Sequence, residues 1–264
     1  MTPDQHKAWV ALGLGPAYQP RIDSVPGAVH AVSPAENHGA AGQEDHMIDP
    51  PADVSVVSSL DTERDQAARL VSVQTLNWHD LRTEVSACQQ CALGASRRNA
   101  VFGVGVDSPT WVVVGEAPGE QEDRNGEPFV GEAGHLLDAM LASVGAARTT
   151  NVFVLNVLKC RPPGNRDPEA DEVATCKPFL LRQLELLNPE LILTVGRFAA
   201  QTLLGVNDKI GALRGRVHKV AVGDRQVPMV ASYHPAYFLR RPEEKLKGWQ
   251  DLCLATSVVP AKAQ

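Results

Sequence analysis

Beyond about residue 61 the chain alternates two hydrophobic periods. Four short apolar runs, Thr110–Gly115 (TWVVVG), Asn151–Val157, Leu191–Val195 and Val227–Ser232, predict strands buried on both faces. Between them Ala133, Leu136, Leu137, Met140, Leu141 and Val144 recur at i, i+3, i+4, i+7, the stripe of an amphipathic helix. Further helices are predicted over Asp80–Cys88, over Pro168–Leu187 with proline in the first turn, over Arg197–Leu204, and over Glu243–Ser257. Strands separated by helices predict an α/β fold, a three-layer α/β/α sandwich around a central, mainly parallel four-stranded sheet. Ligands of such sheets bind beyond the C-terminal ends of the strands. Three loops loaded with reactive side chains, GEAPGEQED, KCRPPGNRDP and YHPAYFLRR, each follow a strand.

Residues 1–60 have no such period. They hold 7 of the 19 prolines and 4 of the 8 histidines, but only Trp9 and Tyr18 among the aromatics. That composition predicts a largely disordered extension ahead of one domain spanning 61–264. His30, His38 and His46 are irregularly spaced and read as solvated side chains rather than ligands. The formal net charge is −6, and an acidic chain ordinarily argues against a nucleic-acid partner. The charge is uneven, however: residues 1–60 set Lys7 and Arg21 against seven carboxylates, a net −5, which leaves −1 on the other 204 residues. The longest apolar runs are strand-length, far below the roughly 18 residues of a membrane-spanning helix. MTPDQHKAWV lacks the basic-then-apolar layout of a secretory signal. The expectation is a cytoplasmic monomer with no membrane partner.

The cysteines are Cys88, Cys91, Cys160, Cys176 and Cys253. An odd count without an export signal argues against a disulfide framework. Cys88-x2-Cys91 is weak alone, since two small residues at a helix end look the same. Cys160 lies beside Lys159 and Arg161, whose charge favours thiolate, and Cys176 follows from the same loop. Four thiolates suit structural zinc or an iron–sulfur cluster, and spacing alone does not separate them. A zinc ribbon usually pairs two such knuckles, so one knuckle plus a 15-residue gap leans slightly toward iron–sulfur. Cys253, among apolar neighbours, reads as a core thiol.

Five blocks then form a family signature: CQQCALGASRRNAVFGVG (88–105), GEAPGEQEDRNGEPFVGEAGHLLDAML (115–141), NVLKCRPPGNRDPEADEVATCKPFL (156–180), LILTVGRFAAQTLLG (191–205) and YHPAYFLRRP (233–242). The chain resembles the family 4 uracil-DNA glycosylases, the thermostable-type iron–sulfur enzymes of base excision repair. The resemblance covers most of residues 85–255. It implies a uracil-DNA glycosylase-like fold, uracil-containing DNA as partner, and a 4Fe-4S cluster on Cys88, Cys91, Cys160 and Cys176, with zinc as the alternative. It also implies that the nucleotide is extruded and its C1′–N1 bond hydrolysed through a cationic sugar and an anionic base.

By the same resemblance Phe129 stacks on uracil, Asn156 reads the pyrimidine edge, and His234 donates near O2. Each has a bland alternative: a core aromatic, a strand-end cap and a turn histidine. For Glu116 and Glu122 the alternatives are water positioning beside the sugar or hydrogen bonds that hold the glycine-rich turn. Aligning GEAP on the GQDP of family 1 enzymes puts Ala117 where those carry a carboxylate, so Glu116 is expected to substitute in part. Glu122, paired with Asn165, is expected to shape the wall near uracil C5. The clusters Arg97/Arg98, Lys159/Arg161/Arg166, Arg214/Arg216/Lys219 and Arg240/Arg241/Lys245/Lys247 are read as phosphate contacts. Tyr237, Phe238 and Leu239 supply an apolar wedge for the vacated stack.

Two other classes compete. A non-turnover uracil-DNA binder would use a histidine in a basic insertion after Asn156. CRPPGNRDPEADEVAT, between Lys159 and Cys176, holds neither histidine nor insertion. A metal-stapled, polymerase-associated module is the other. If the extension tempers nonspecific binding, deleting residues 1–60 strengthens affinity for uracil-free DNA at low salt, and screening narrows the gap at high salt. Fluorescence anisotropy checks this; equal affinities at low salt would remove that role.

Overall fold

The computed structural model describes residues 72–259. The extension expected over 1–60, with His30, His38 and His46, lies outside the described residues. Among those described, the strands are β1 (Val104–Gly105), β2 (Trp111–Gly115), β3 (Val152–Asn156), β4 (Leu191–Val195), β5 (Val217–Val222) and β6 (Arg225–Ser232). They form one sheet in the order β1-β3-β2-β4-β6-β5. The inner four are parallel and correspond to the four predicted strands. The expected four-stranded sheet is therefore six-stranded, with an antiparallel strand added at each edge. β1 is too short for its period to register. β5 and β6 form a hairpin through Gly223 and Asp224, with Gly223 at φ 55° as such a two-residue turn requires.

The helices are α1 (Trp78–Ala87), α2 (Ala92–Ser96), α3 (Glu120–Asn125), α4 (Glu132–Ala142), α5 (Ala170–Leu187), α6 (Arg197–Leu204), α7 (Ile210–Leu213), α8 (Pro235–Arg240) and α9 (Lys245–Val258). Asn77 caps α1 by accepting from the Asp80 amide at 3.0 Å. Pro168 lies outside α5, because Glu169 is the extended N-cap and Glu172 returns a bond to its amide at 2.9 Å. Residues Pro242–Glu244 form a 3-10 turn, so α9 begins later than predicted.

Alternate strand residues feed two cores. Trp111, Val113, Val154 and Leu193 pack with Leu137, Met140 and Leu141 of α4, Phe238 of α8 and Leu252 of α9. Val112, Val114, Leu155 and Ile192 pack with Leu81 and Val85 of α1, Leu93 of α2 and Phe179, Leu180 and Leu184 of α5. From β2 the chain steps to β3 on one side, then crosses to β4 on the other. Successive connections therefore leave toward opposite faces, and a crevice opens at the C-terminal strand ends. No helix among the described residues is long and apolar enough to cross a membrane. Leu193→Ala, at a position with 0% exposure, lowers unfolding free energy by about 2–5 kcal/mol in denaturant titration. A loss below about 1 kcal/mol would show that β4 is not at the centre of the core.

Candidate active site

The ends of β2, β3 and β6 surround a cavity of about 650 Å³. Gly115 ends β2 and pairs in register with Asn156, which ends β3. A Cβ on Gly115 would come within 2.3 Å of Asn156 Oδ1 and 2.6 Å of the Phe129 ring. Glycine at 115 is thus what lets amide and ring converge. Asn156 is 1% exposed, and its Oδ1 has no hydrogen-bond partner among the described residues. Its main-chain carbonyl accepts from Lys159 Nζ at 2.6 Å.

Phe129 is 6% exposed and sits at φ 56°, a left-handed conformation that costs a bulky residue about 1–3 kcal/mol. The following turn is held by Glu122, whose Oε1 accepts from the amides of Val130 and Gly131 at 3.1 and 3.3 Å. Its Oε2 accepts from Gly119 N at 3.1 Å. Of the two readings of Glu122, its bonds follow the loop-holding one. No hydrogen bond joins Glu122 to Asn165, whose Oδ1 accepts from Arg161 Nε at 2.6 Å. Both residues still line the cavity, as does Ala117. Gly134 is required here too: a Cβ would lie 1.8 Å from the Phe129 carbonyl oxygen.

His234 faces Phe129 with ring centroids 5.4 Å apart and planes 26° from parallel. Its Nδ1 accepts from Ala236 N at 3.2 Å, capping α8 and leaving the neutral ring's proton on Nε2. Burial, then the nearby Arg240 charge, lowers its pKa to about 4, against a small opposing pull from Glu122. Glu116 lies on the same cavity, its carboxyl raised to about 7 by burial first and by Asp167 second, with Arg197 opposing. Asp167 itself pairs with Arg197 at 3.0 Å.

The basic and apolar positions need several corrections. Phe238 is 1% exposed in the core under α8, so it is not an available wedge. Tyr237 stacks on Tyr233 at 4.5 Å, half-buried, whereas Leu239 is 41% exposed. Lys159 is 1% exposed and cannot reach a phosphate. Arg97 donates to Cys160 Sγ at 2.9 Å and to Ser86 O at 2.7 Å. Arg214 pairs with the fully buried Asp251 at 2.9 Å. Arg166 pairs with Glu172 at 2.6 Å and Arg161 lies 3.9 Å from Glu120, both close to the cavity. Arg240 is exposed at the cavity rim.

Cys88 ends α1 and Cys91 caps α2, while Cys160 follows β3 and Cys176 lies within α5. The four line one small cavity with Arg97 and Lys159. Cys176 Sγ accepts from Lys159 N at 3.3 Å. Burial pushes the bare Cys176 thiol up to about 12. Among the described residues no three His, Cys, Asp or Glu side chains are grouped to hold a single metal ion. Cys253 lies apart on α9, partly exposed. Two structural residues escaped the sequence. Asp123, 5% exposed, accepts from Arg98 N at 2.9 Å, and Arg148 reaches the Phe129 turn from outside the motif blocks. An acid in a helix's first turn was a signal for Asp123; nothing in the pattern marked Arg148.

Residues 102–253 match the sequence profile of the Uracil DNA glycosylase superfamily. A type-4 uracil-DNA glycosylase of Archaeoglobus fulgidus is 46% identical over 168 residues, 62% of this chain and 84% of that protein. One from Sulfurisphaera tokodaii is 39% identical over 184 residues, 66% of this chain and 84% of its own length. A DNA polymerase of Bacillus phage SP01 is 27% identical over 151 residues, 57% of this chain but 16% of the polymerase. With the profile spanning more than half the sequence and type-4 relatives aligned over most of their length, the chain belongs to the uracil-DNA glycosylase superfamily and to its type-4 branch.

Proposed function

We propose that the chain excises uracil from DNA, hydrolysing the glycosidic bond of an extruded deoxyuridine and leaving an abasic site. One observation carries this reading above the others: the buried Asn156 amide has an unpartnered Oδ1 at a cavity bounded by an aromatic ring. An unpaired buried polar group costs about 1–3 kcal/mol, which a pyrimidine edge with adjacent N–H and C=O would recover. Phe129 supplies the stacking face. His234, neutral and protonated on Nε2, donates toward O2 as negative charge builds on the departing base. A neutral donor does this without surrendering its proton. Glu116, ionised, orients water and offsets the positive sugar.

Extrusion costs a few kcal/mol of lost stacking and pairing. Leu239, exposed just after the His234–Pro235 turn, fills the gap left in the duplex, with Tyr237 behind it. Arg240 at the rim, with Arg161 and Arg166, neutralises phosphates and fixes register without reading sequence.

Cys88, Cys91, Cys160 and Cys176 are the residues that would hold a 4Fe-4S cluster, with zinc as the alternative. The donor set fits: four soft sulfurs line one cavity, and two of them accept N–H bonds. Such a group would tie the α1–α2 junction to the loop after β3 and to α5. A brown protein with visible absorption supports the cluster, and a colourless zinc-loaded one overturns it.

The purified full chain, given uracil- and thymine-containing oligonucleotides and then alkali, cuts only the uracil strand; no scission would end this reading. Asn156→Ala slows single-turnover excision about 100-fold or more. The pH dependence has a definite sign. Glu116 loses its proton near 7, so the rate rises with pH through about 7. Glu116→Gln removes that limb together with about 100-fold of rate. The residual activity then falls only as pH drops through about 4, where His234 gains its proton. A single-turnover rate unchanged in Glu116→Gln would remove Glu116 from the mechanism.

A further inference from the structure

We propose that Arg148, which does not line the cavity, is the positioning residue that sets the Phe129 platform before a base arrives. The inference rests on the uracil-excision reading. Two peptide planes flank the Phe129 Cα, and their orientations are its φ and ψ. Arg148 grips both. Its Nη1 donates to Pro128 O at 2.7 Å and its Nη2 to Phe129 O at 2.9 Å. The plane after Phe129 is held on its other edge as well, where the Val130 amide donates to Glu122. Without these bonds a phenylalanine would leave φ 56° for the right-handed or extended region, carrying its ring away from Gly115 and His234.

Arg148 is itself fixed. Its Nε donates to Asp138 Oδ1 on α4 at 2.7 Å, and its side chain is 16% exposed against 49% for Asp138. The guanidinium thus spans α4 and the turn before it, with all three nitrogens engaged. A planar fork is needed for two neighbouring carbonyls; a lysine ammonium is a point donor that presents no such pair. Gly134 completes the arrangement by leaving room for the Phe129 carbonyl that Arg148 holds.

The test uses the full chain and three readouts: single-turnover excision of uracil, inhibition by free uracil, and affinity for a duplex carrying a tetrahydrofuran abasic analogue. The last has no base and does not report on Phe129. Arg148→Met slows excision about 100-fold, as a misplacement of about 1 Å does. It weakens inhibition by free uracil about tenfold while affinity for the tetrahydrofuran duplex stays within about twofold. Arg148→Lys falls between, at least about threefold slower than wild type. Wild-type excision in Arg148→Met overturns the proposal, as does equal loss of excision and tetrahydrofuran-duplex affinity, which marks general damage. If Arg148→Met does not fold, Arg148→Lys decides, and a wild-type rate there overturns it. A wild-type protein that fails to excise uracil brings down the underlying reading instead.

Discussion

Lys159 Nζ, buried between the two functional cavities, holds the Asn156 carbonyl at 2.6 Å. Its burial lowers the ammonium's pKa to about 8, and the charges that oppose this come from Cys176 and Cys160. A lone buried cation costs several kcal/mol, and thiolate charge on the sulfur side would offset that cost. The end of β3 is thereby fixed from two directions. The sheet holds Asn156 against Gly115, and the lysine holds it against the cysteine loop. A metal group on the four thiolates would support the Asn156 end of β3 through this bond, four residues from Cys160 along the chain.

The rest of the cavity is organised around that fixed amide. Phe129 is held in an unfavourable backbone conformation beside it, and His234 is kept neutral opposite the ring. A site assembled in advance meets the developing charge without reorganising, which is where preorganised donors act most strongly. The whole-chain net charge is −6. Nearly all of it belongs to residues 1–60, while the cavity is lined by Arg240 and Arg166, with Arg161 beside Glu120.

The inner strands were legible because both faces are buried, so their residues are apolar without interruption. β1 spans two residues and β5 is half-exposed, and neither carries enough pattern to stand out. Asn156, Phe129 and His234 could be named through the family resemblance, and all three line the cavity. Side-chain destination was not legible. Lys159, Arg97 and Arg214 look like surface cations in the sequence, yet they meet a main-chain carbonyl, a sulfur and a buried carboxylate. Phe238 and Leu239 are neighbours of similar character, and only the packing of α8 against α4 and α9 sends one inward and the other out. Arg148 lay outside every motif, because its task is to bond main-chain carbonyls that the sequence does not display.

The central claim is that a uracil ring stacks on Phe129 with its edge on Asn156 and its O2 at His234. A crystal structure of the full chain with free uracil bound tests it most directly. The account predicts the ring stacked on Phe129, the Asn156 amide within hydrogen-bond distance of its N3–H and O4 edge, and His234 Nε2 at O2. Uracil bound elsewhere, or an Asn156 side chain turned away to a protein partner, would contradict it.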